Sequence, residues 1–220
     1  MNLVFDFGAV LFTWKPAQLL RQTFPVQANS DEQARHFAHQ MFSHPDWHAF
    51  DRGTLDEQAV IEQTAQRLGL PLPAMHDLVH GIGERLTVIE DTRLLLQRLH
   101  EQRQRADQVT GLYFLSNMPL PYARLLEERY PFLKWFDGGI FSADVQLIKP
   151  EPAIYQLLQS RYALDPARTL FIDDLKSNVH AAQAQGWHGV HFESAQQLEA
   201  VLALRGLLQR TYPDNAGESW

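Results

Sequence analysis

No cysteine occurs in the 220 residues, which excludes disulfides and thiolate metal sites. No apolar run approaches the ~20 residues that a membrane-spanning helix requires. Basic runs are also missing: 19 Lys and Arg stand against 26 Asp and Glu, for a formal net charge of −7. A nucleic-acid surface is therefore not expected, and a bound cation is admissible. The first residues lack a basic stretch, and Asp6 ends their apolar run after three strand formers. They read as neither signal peptide nor anchor, and the expectation is a cytoplasmic protein. There is no repeat and no low-complexity segment, and the final PDNAGESW is polar, turn-rich and expected to fray. What the chain does have is a hydrophobic fraction of 45% with 20% charged residues, enough for one sizeable domain or a core carrying a smaller one.

Four short apolar runs predict buried strands at 3–6, 112–116, 169–173 and 189–192, with a weaker one at 139–142. Amphipathic helices are predicted between the later strands. One starts at Pro119 and runs to 129. A second covers 151–163, with Ile154, Leu157, Leu158 and Tyr162 on one face, and Tyr155 reads as core. A third covers 175–185 and stops before Gly186. Such alternation predicts an α/β fold: a Rossmann-like parallel sheet with flanking helices. Residues 14–88 instead look entirely helical. Ser30 with Gln33, and Thr54 with Glu57, read as capping boxes; a further helix is predicted near 73–86. At ~70 residues this insertion far exceeds an ordinary connection. The predicted organisation is a core of 1–13 and 89–220 with a small all-helical cap domain at 14–88.

Ligands of open parallel sheets bind at the carboxyl ends of the strands. The polar residues there are Asp6, Ser116-Asn117 and Asp173-Asp174, with Lys149 ahead of Pro150 and a helix. Carboxylates suit a hard divalent cation, and a lysine with a hydroxyl suits phosphoryl oxygens. Each residue alone has an ordinary explanation. Asp6 reads as a turn residue, Ser116-Asn117 as an N-cap, Asp173-Asp174 as complements to a helix dipole, and Lys149 as a solvated lysine.

Taken together, FDFGAV, FLSN, IKPEPAIY and FIDDLKSNVHAAQAQG resemble the four motifs of the haloacid dehalogenase superfamily, across residues 3–192. The subgroup resembled carries a helical cap after motif one. The D-x-G-x-V form of motif one and the segment HAFDRGTLDEQAV are similar to phosphatases that include α-D-glucose-1-phosphatase and the N-terminal phosphatase domain of soluble epoxide hydrolase. The resemblance implies Asp6 as a nucleophile that forms an aspartyl-phosphate. It implies Mg²⁺ held by Asp6, the Gly8 carbonyl and motif-four acids: Asp174 at the metal position and Asp173 before it. Asn178 would orient Lys149 or water at the metal. Ser116 and the Asn117 backbone would bind the phosphoryl group, and Lys149 would offset its charge. The expected substrate is a small phosphorylated metabolite, a sugar phosphate first; oligomeric state is not readable.

One position departs from the pattern. Family phosphatases carry a second aspartate two residues after the nucleophile as general acid–base; here Gly8 stands there, with Ala9 at the usual glycine. Gln146 likewise replaces a frequent glycine ahead of Lys149. Three readings stay open. The chain is a phosphatase with an easily expelled leaving group, or with an acid borrowed from His44, His48 or Asp51. Alternatively it is a 2-haloacid dehalogenase, against which Gly8 and the paired aspartates argue, or an inactive binding or regulatory protein. A metal cluster of His44, His48 and Trp47's surroundings lacks a third matched ligand. Trp14 is expected where strand one meets the cap, packing the two together or lining the site entrance.

Overall fold

The computed structural model describes residues 1–103 and 108–208; the predicted fraying of PDNAGESW lies outside them. In chain order the elements are β1 (Asn2–Phe5), α1 (Pro16–Thr23), α2 (Asp31–Phe42), α3 (Pro45–Arg52), α4 (Glu57–Leu68), α5 (Leu72–Arg85) and α6 (Glu90–Arg103). They continue with β2 (Gly111–Ser116), α7 (Leu120–Arg129), β3 (Gly138–Phe141), the short α8 (Ser142–Val145), α9 (Pro152–Arg161), β4 (Thr169–Asp173), α10 (Lys176–Ala184), β5 (His188–His191) and α11 (Ala195–Leu204).

All five strands are parallel, in the order β3-β2-β1-β4-β5. The strand alternation sorts side chains onto two faces. Leu3 and Phe5 point into a core shared with α6, α7 and α11, while Val4 and Phe171 join Ile154, Tyr155 and Leu158 of α9. Both faces are covered, as a parallel sheet requires. Because β1 is central and the chain leaves it first toward β2 and later toward β4, the crevice at its carboxyl end is the natural ligand site.

Between β1 and α6 the chain forms a block of helices, α1 to α5. It leaves and returns along neighbouring segments: Thr13 N–H donates to Thr87 O at 2.7 Å, and Ile89 N–H to Leu11 O at 2.8 Å. Ser30 caps α2 as predicted, accepting from Gln33 N–H. The predicted cap of α4 is corrected. Asp56, not Thr54, accepts from Ala59 N–H at 2.8 Å, and Thr54 Oγ1 instead donates to Ala49 O. The earlier cap fails because Gly53, in the left-handed region at φ 76°, first has to end α3. A Cβ at Gly53 would sit 2.7 Å from Ala143 O, so the glycine also lets α3 close onto α8. The sequence pattern does not single out α1 and α3 within the helical stretch; each is eight residues long and opens on a proline.

Candidate active site

The nucleophile candidate sits one residue beyond β1, on a loop anchored by aromatics. Phe7 packs against Phe114 and Phe141 at 4.8 and 5.4 Å, pairs worth ~0.5–1.5 kcal/mol each. This packing fixes the loop from beneath and leaves Asp6 at the cavity floor. Ala9 has φ 56° and Gln146 φ 57°. Both positions where the family pattern has glycine thus keep the left-handed turn, at a cost of ~1–2 kcal/mol each for a residue with a Cβ.

Four of the sequence candidates come together in one ion network. Lys149 Nζ lies 2.8 Å from Asp6 Oδ1 and 2.7 Å from Asp173 Oδ2, with its residue only 4% exposed. The surface-lysine explanation therefore fails. Burial by itself would lower the Lys149 pKa; the Asp173 and Asp6 carboxylates overcome that and raise it. Asn178 Nδ2 donates to both oxygens of Asp173, at 3.0 and 3.1 Å, and Leu175 N–H donates to Oδ1. Asn178 thus orients Lys149 at one remove, through Asp173. Its own backbone carbonyl accepts from the buried Tyr155 hydroxyl at 3.0 Å, which ties α10 to α9.

Asp6, Asp173 and Asp174 each offer an oxygen within 4.8 Å of the others, a set of hard donors that fits Mg²⁺. They differ in how far they are already engaged. Both Asp173 oxygens are taken by Lys149, Asn178 and Leu175. Asp6 uses Oδ1 for Lys149 and the Phe7 N–H, leaving Oδ2 outside those contacts. Burial, against the pull of Lys149, pushes the Asp6 carboxyl up to about 7. Burial and then the Asp173 charge push Asp174 up to about 6. Carboxylates crowded in this way lack positive charge, which a dication supplies.

Ser116 Oγ, at the end of β2, is buried and has no hydrogen-bond partner among the described residues. An orphaned buried hydroxyl is costly and points to an unfilled acceptor or donor role. The side chain of Asn117, by contrast, is fully used. It accepts from Lys149 N–H at 2.8 Å and donates to Lys149 O at 3.0 Å, clamping the backbone of the lysine loop. That function was not foreseen, because the two residues are 32 apart in sequence.

Above the network lies a cavity of about 850 Å³, lined among others by Asp6, Gly8, Asn117, Lys149 and Asp174 from the sheet edge. The helical block contributes Phe42, His48, Asp51 and Ile82, and Trp14 lines it while stacking edge-on against Phe42 at 5.1 Å. Of the two expectations for Trp14, the cavity-lining one is met, and its ring packs within the helical block. His44 caps α3, its Nδ1 accepting from Asp46 N–H at 3.3 Å, and Trp47 packs on Phe42 and Phe50. The described residues also contain no helix long and apolar enough to cross a membrane.

A family model described as haloacid dehalogenase-like hydrolase matches residues 12–186. A sesquiterpene phosphatase of Aspergillus oryzae is 26% identical over 208 residues, which cover 93% of this chain and 95% of that protein. A phosphoglycolate phosphatase of Salmonella typhi is 32% identical over 94 residues, 43% of this chain and 37% of that protein. Among solved structures, a HAD family enzyme from Bacteroides thetaiotaomicron superposes with a TM-score of 0.69 at 19% identity, covering 91% of this chain and 97% of that one. A further structure of that enzyme is a complex with magnesium and inorganic phosphate. At such identity the structural likeness establishes the fold alone. None of these matches bears on the finer expectation of a likeness to α-D-glucose-1-phosphatase.

Proposed function

This chain belongs to the haloacid dehalogenase-like hydrolase family, and from that premise we propose that it is a Mg²⁺-dependent phosphatase acting through an aspartyl-phosphate. The observation that carries the reading is the buried Asp6–Lys149–Asp173 network beside Asp174 at the carboxyl edge of the sheet. A free Asp6 oxygen attacks phosphorus, and Lys149 offsets the charge that would otherwise repel an anionic ester. Ser116 Oγ and the Asn117 backbone N–H hold phosphoryl oxygens. Asp173 and Asn178 keep Lys149 in place. Water then hydrolyses the phosphorylated Asp6. Mg²⁺, held by the Asp6 carboxylate, the Gly8 carbonyl and Asp174, would neutralise charge on the transferring group. The helices between β1 and α6 act as a cap that closes the cavity and selects the substrate.

The cavity wall refines the substrate class. Trp14, Phe42, Ile82, Leu86 and Met118 supply apolar surface where a sugar would require hydrogen-bond partners. The relative matched over nearly its whole length is named a sesquiterpene phosphatase. We therefore place the phosphate ester of an apolar, hydrocarbon-rich alcohol ahead of a sugar phosphate.

The test is phosphate release from a panel of esters. Release should require Mg²⁺, stop with EDTA, and show higher kcat/KM for a long-chain alkyl phosphate than for glucose phosphates. Halide release from a 2-haloacid in metal-free buffer, with no phosphate turnover, would replace this reading with the dehalogenase. A second variant probes the phosphoryl cradle. Ser116→Ala removes a hydroxyl that has no partner among the described residues, so urea unfolding should change by less than ~1 kcal/mol. Turnover should nevertheless fall ~10²–10³-fold, the usual cost of losing one donor to a developing charge.

A further inference from the structure

We propose that Asp51, at the carboxyl end of α3, is the general acid–base of this site and takes the place of the carboxylate that Gly8 lacks. The assignment rests on the phosphatase reading above. The family's own acid would stand at position 8, and a glycine there has no proton to give. Another group must therefore protonate the leaving alkoxide, and for the ester of an ordinary alcohol that need is at its greatest.

Of the three candidate donors on α3, the geometry selects one. His44 is engaged at the far end of the helix as its cap. His48 lines the cavity, but burial, reinforced by the Arg52 charge, lowers its pKa and so disfavours the protonated ring that a general acid needs. Asp51 lines the same cavity as Asp6 and Gly8, and its carboxyl makes no hydrogen bond among the described residues.

The placement of Asp51 is built from both sides. Its backbone carbonyl accepts from Ser142 Oγ, and the same hydroxyl accepts from Met118 N–H at 2.8 Å. The next residue, Arg52, forms a two-pronged ion pair with Glu151, two positions after Lys149, and also donates to Gln146 O. Gly53 then packs directly on Ala143. Three consecutive residues at the end of α3, Asp51, Arg52 and Gly53, are thus latched to α8 and to the segments on either side of Lys149. A side chain that only covered the cavity would need no such registration.

The charge state agrees with this role. Burial pushes the Asp51 carboxyl up to about 8, opposed only by Lys149, so the group carries a proton at neutral pH. The groups that face or flank it are Lys149 from the core, the Tyr122 phenol of α7, His48 and Arg52 of its own helix, and Glu151 paired to Arg52. The chemistry balances over two steps. As the Asp6 oxygen bonds to phosphorus and the ester P–O bond breaks, the Asp51 proton passes to the departing oxygen and an alcohol leaves. The Asp51 carboxylate then takes a proton from the water that attacks the aspartyl-phosphate. This frees phosphate, the Asp6 carboxylate and a reprotonated Asp51.

The experiment compares wild type and Asp51→Asn on p-nitrophenyl phosphate, whose leaving group departs without help, and on a primary alkyl phosphate, whose leaving group does not. In the first turnover, release of the alcohol from the alkyl ester should fall ~10²–10⁴-fold and release of p-nitrophenol far less, while steady-state turnover slows on both because Asp51 is also the base of the second step. Release of p-nitrophenol in the first turnover also certifies that the variant is folded. Alkyl turnover by the wild type should decline as pH rises through about 8, a limb absent from Asp51→Asn. Position 8 offers a rescue, because a Cβ there would meet nothing closer than Trp14 Cβ at 3.9 Å. Gly8→Asp in the Asp51→Asn chain should restore the alkyl activity. An equal loss of first-turnover release from both esters, or no loss on either, overturns the role of Asp51 and leaves the phosphatase reading standing. A wild type inert toward both esters overturns the phosphatase reading and this assignment with it.

Discussion

Asp6→Asn should abolish phosphate release while leaving the protein folded. The asparagine oxygen can still accept from Phe7 N–H and Lys149 Nζ, the two contacts that Asp6 Oδ1 now makes at 2.7 and 2.8 Å. An amide of the same shape keeps that local geometry but supplies neither a nucleophilic oxygen nor a charge for a cation. Loss of turnover should reach ~10⁴–10⁶-fold, the scale on which removing a member of a covalent catalytic unit acts. Stability should stay within ~1 kcal/mol in metal-free buffer, because two opposing terms are involved. One favourable contact to Lys149 weakens, and one buried carboxylate that the fold disfavours disappears. The measurement is kcat on an aryl phosphate beside urea unfolding of the same sample. Turnover near the wild-type rate would remove Asp6 from the chemistry.

That prediction concerns a residue visible from the first line of the sequence, and the reason is local. A strand of three apolar residues ending in a carboxylate is expensive unless something pairs with it, and the pairing partner had to be found among the other strand ends. Ser116, Asp173 and Asp174 were legible on the same grounds, since parallel strands deliver their last residues to one edge. The helix starts were less secure. Thr54 and Asp56 are both good caps two residues apart, and only the Gly53 turn against Ala143 decides between them. What could not be read was anything set by contact between distant segments. The clamp of Asn117 on Lys149 spans 32 residues, and the Arg52–Glu151 latch that aims Asp51 spans 99. Periodicity says which face of α3 is apolar; it does not say which of its polar side chains meets the carboxyl edge of the sheet.

Lys149→Met should be the most destabilising single change at the site, and Mg²⁺ should reverse part of it. The ammonium is the one cation among the described residues that lies against both Asp6 and Asp173, in a pocket where its residue is 4% exposed. Methionine fills a similar volume and can pack on the Phe171 ring now 5.5 Å below Nζ, so little cavity is left. The loss is therefore one of charge. Two buried carboxylates remain with Asp174 beside them, and removing one partner of a buried pair costs ~3–5 kcal/mol. Against a typical total of ~5–15 kcal/mol, that loss should be plain in urea unfolding. The loop itself should persist, since Asn117 holds the backbone of residue 149 and not its side chain. A dication bound by Asp6 and Asp174 supplies positive charge where the lysine no longer does, so Mg²⁺ should stabilise the variant more than it stabilises wild type. Turnover should stay low with the metal present, because restored charge does not restore the Lys149 contact to Asp6. Destabilisation of the same size with and without Mg²⁺ would mean that the metal does not bind among these carboxylates. An unchanged unfolding curve would mean that the three acids share protons so readily that the lysine contributes no stability to them.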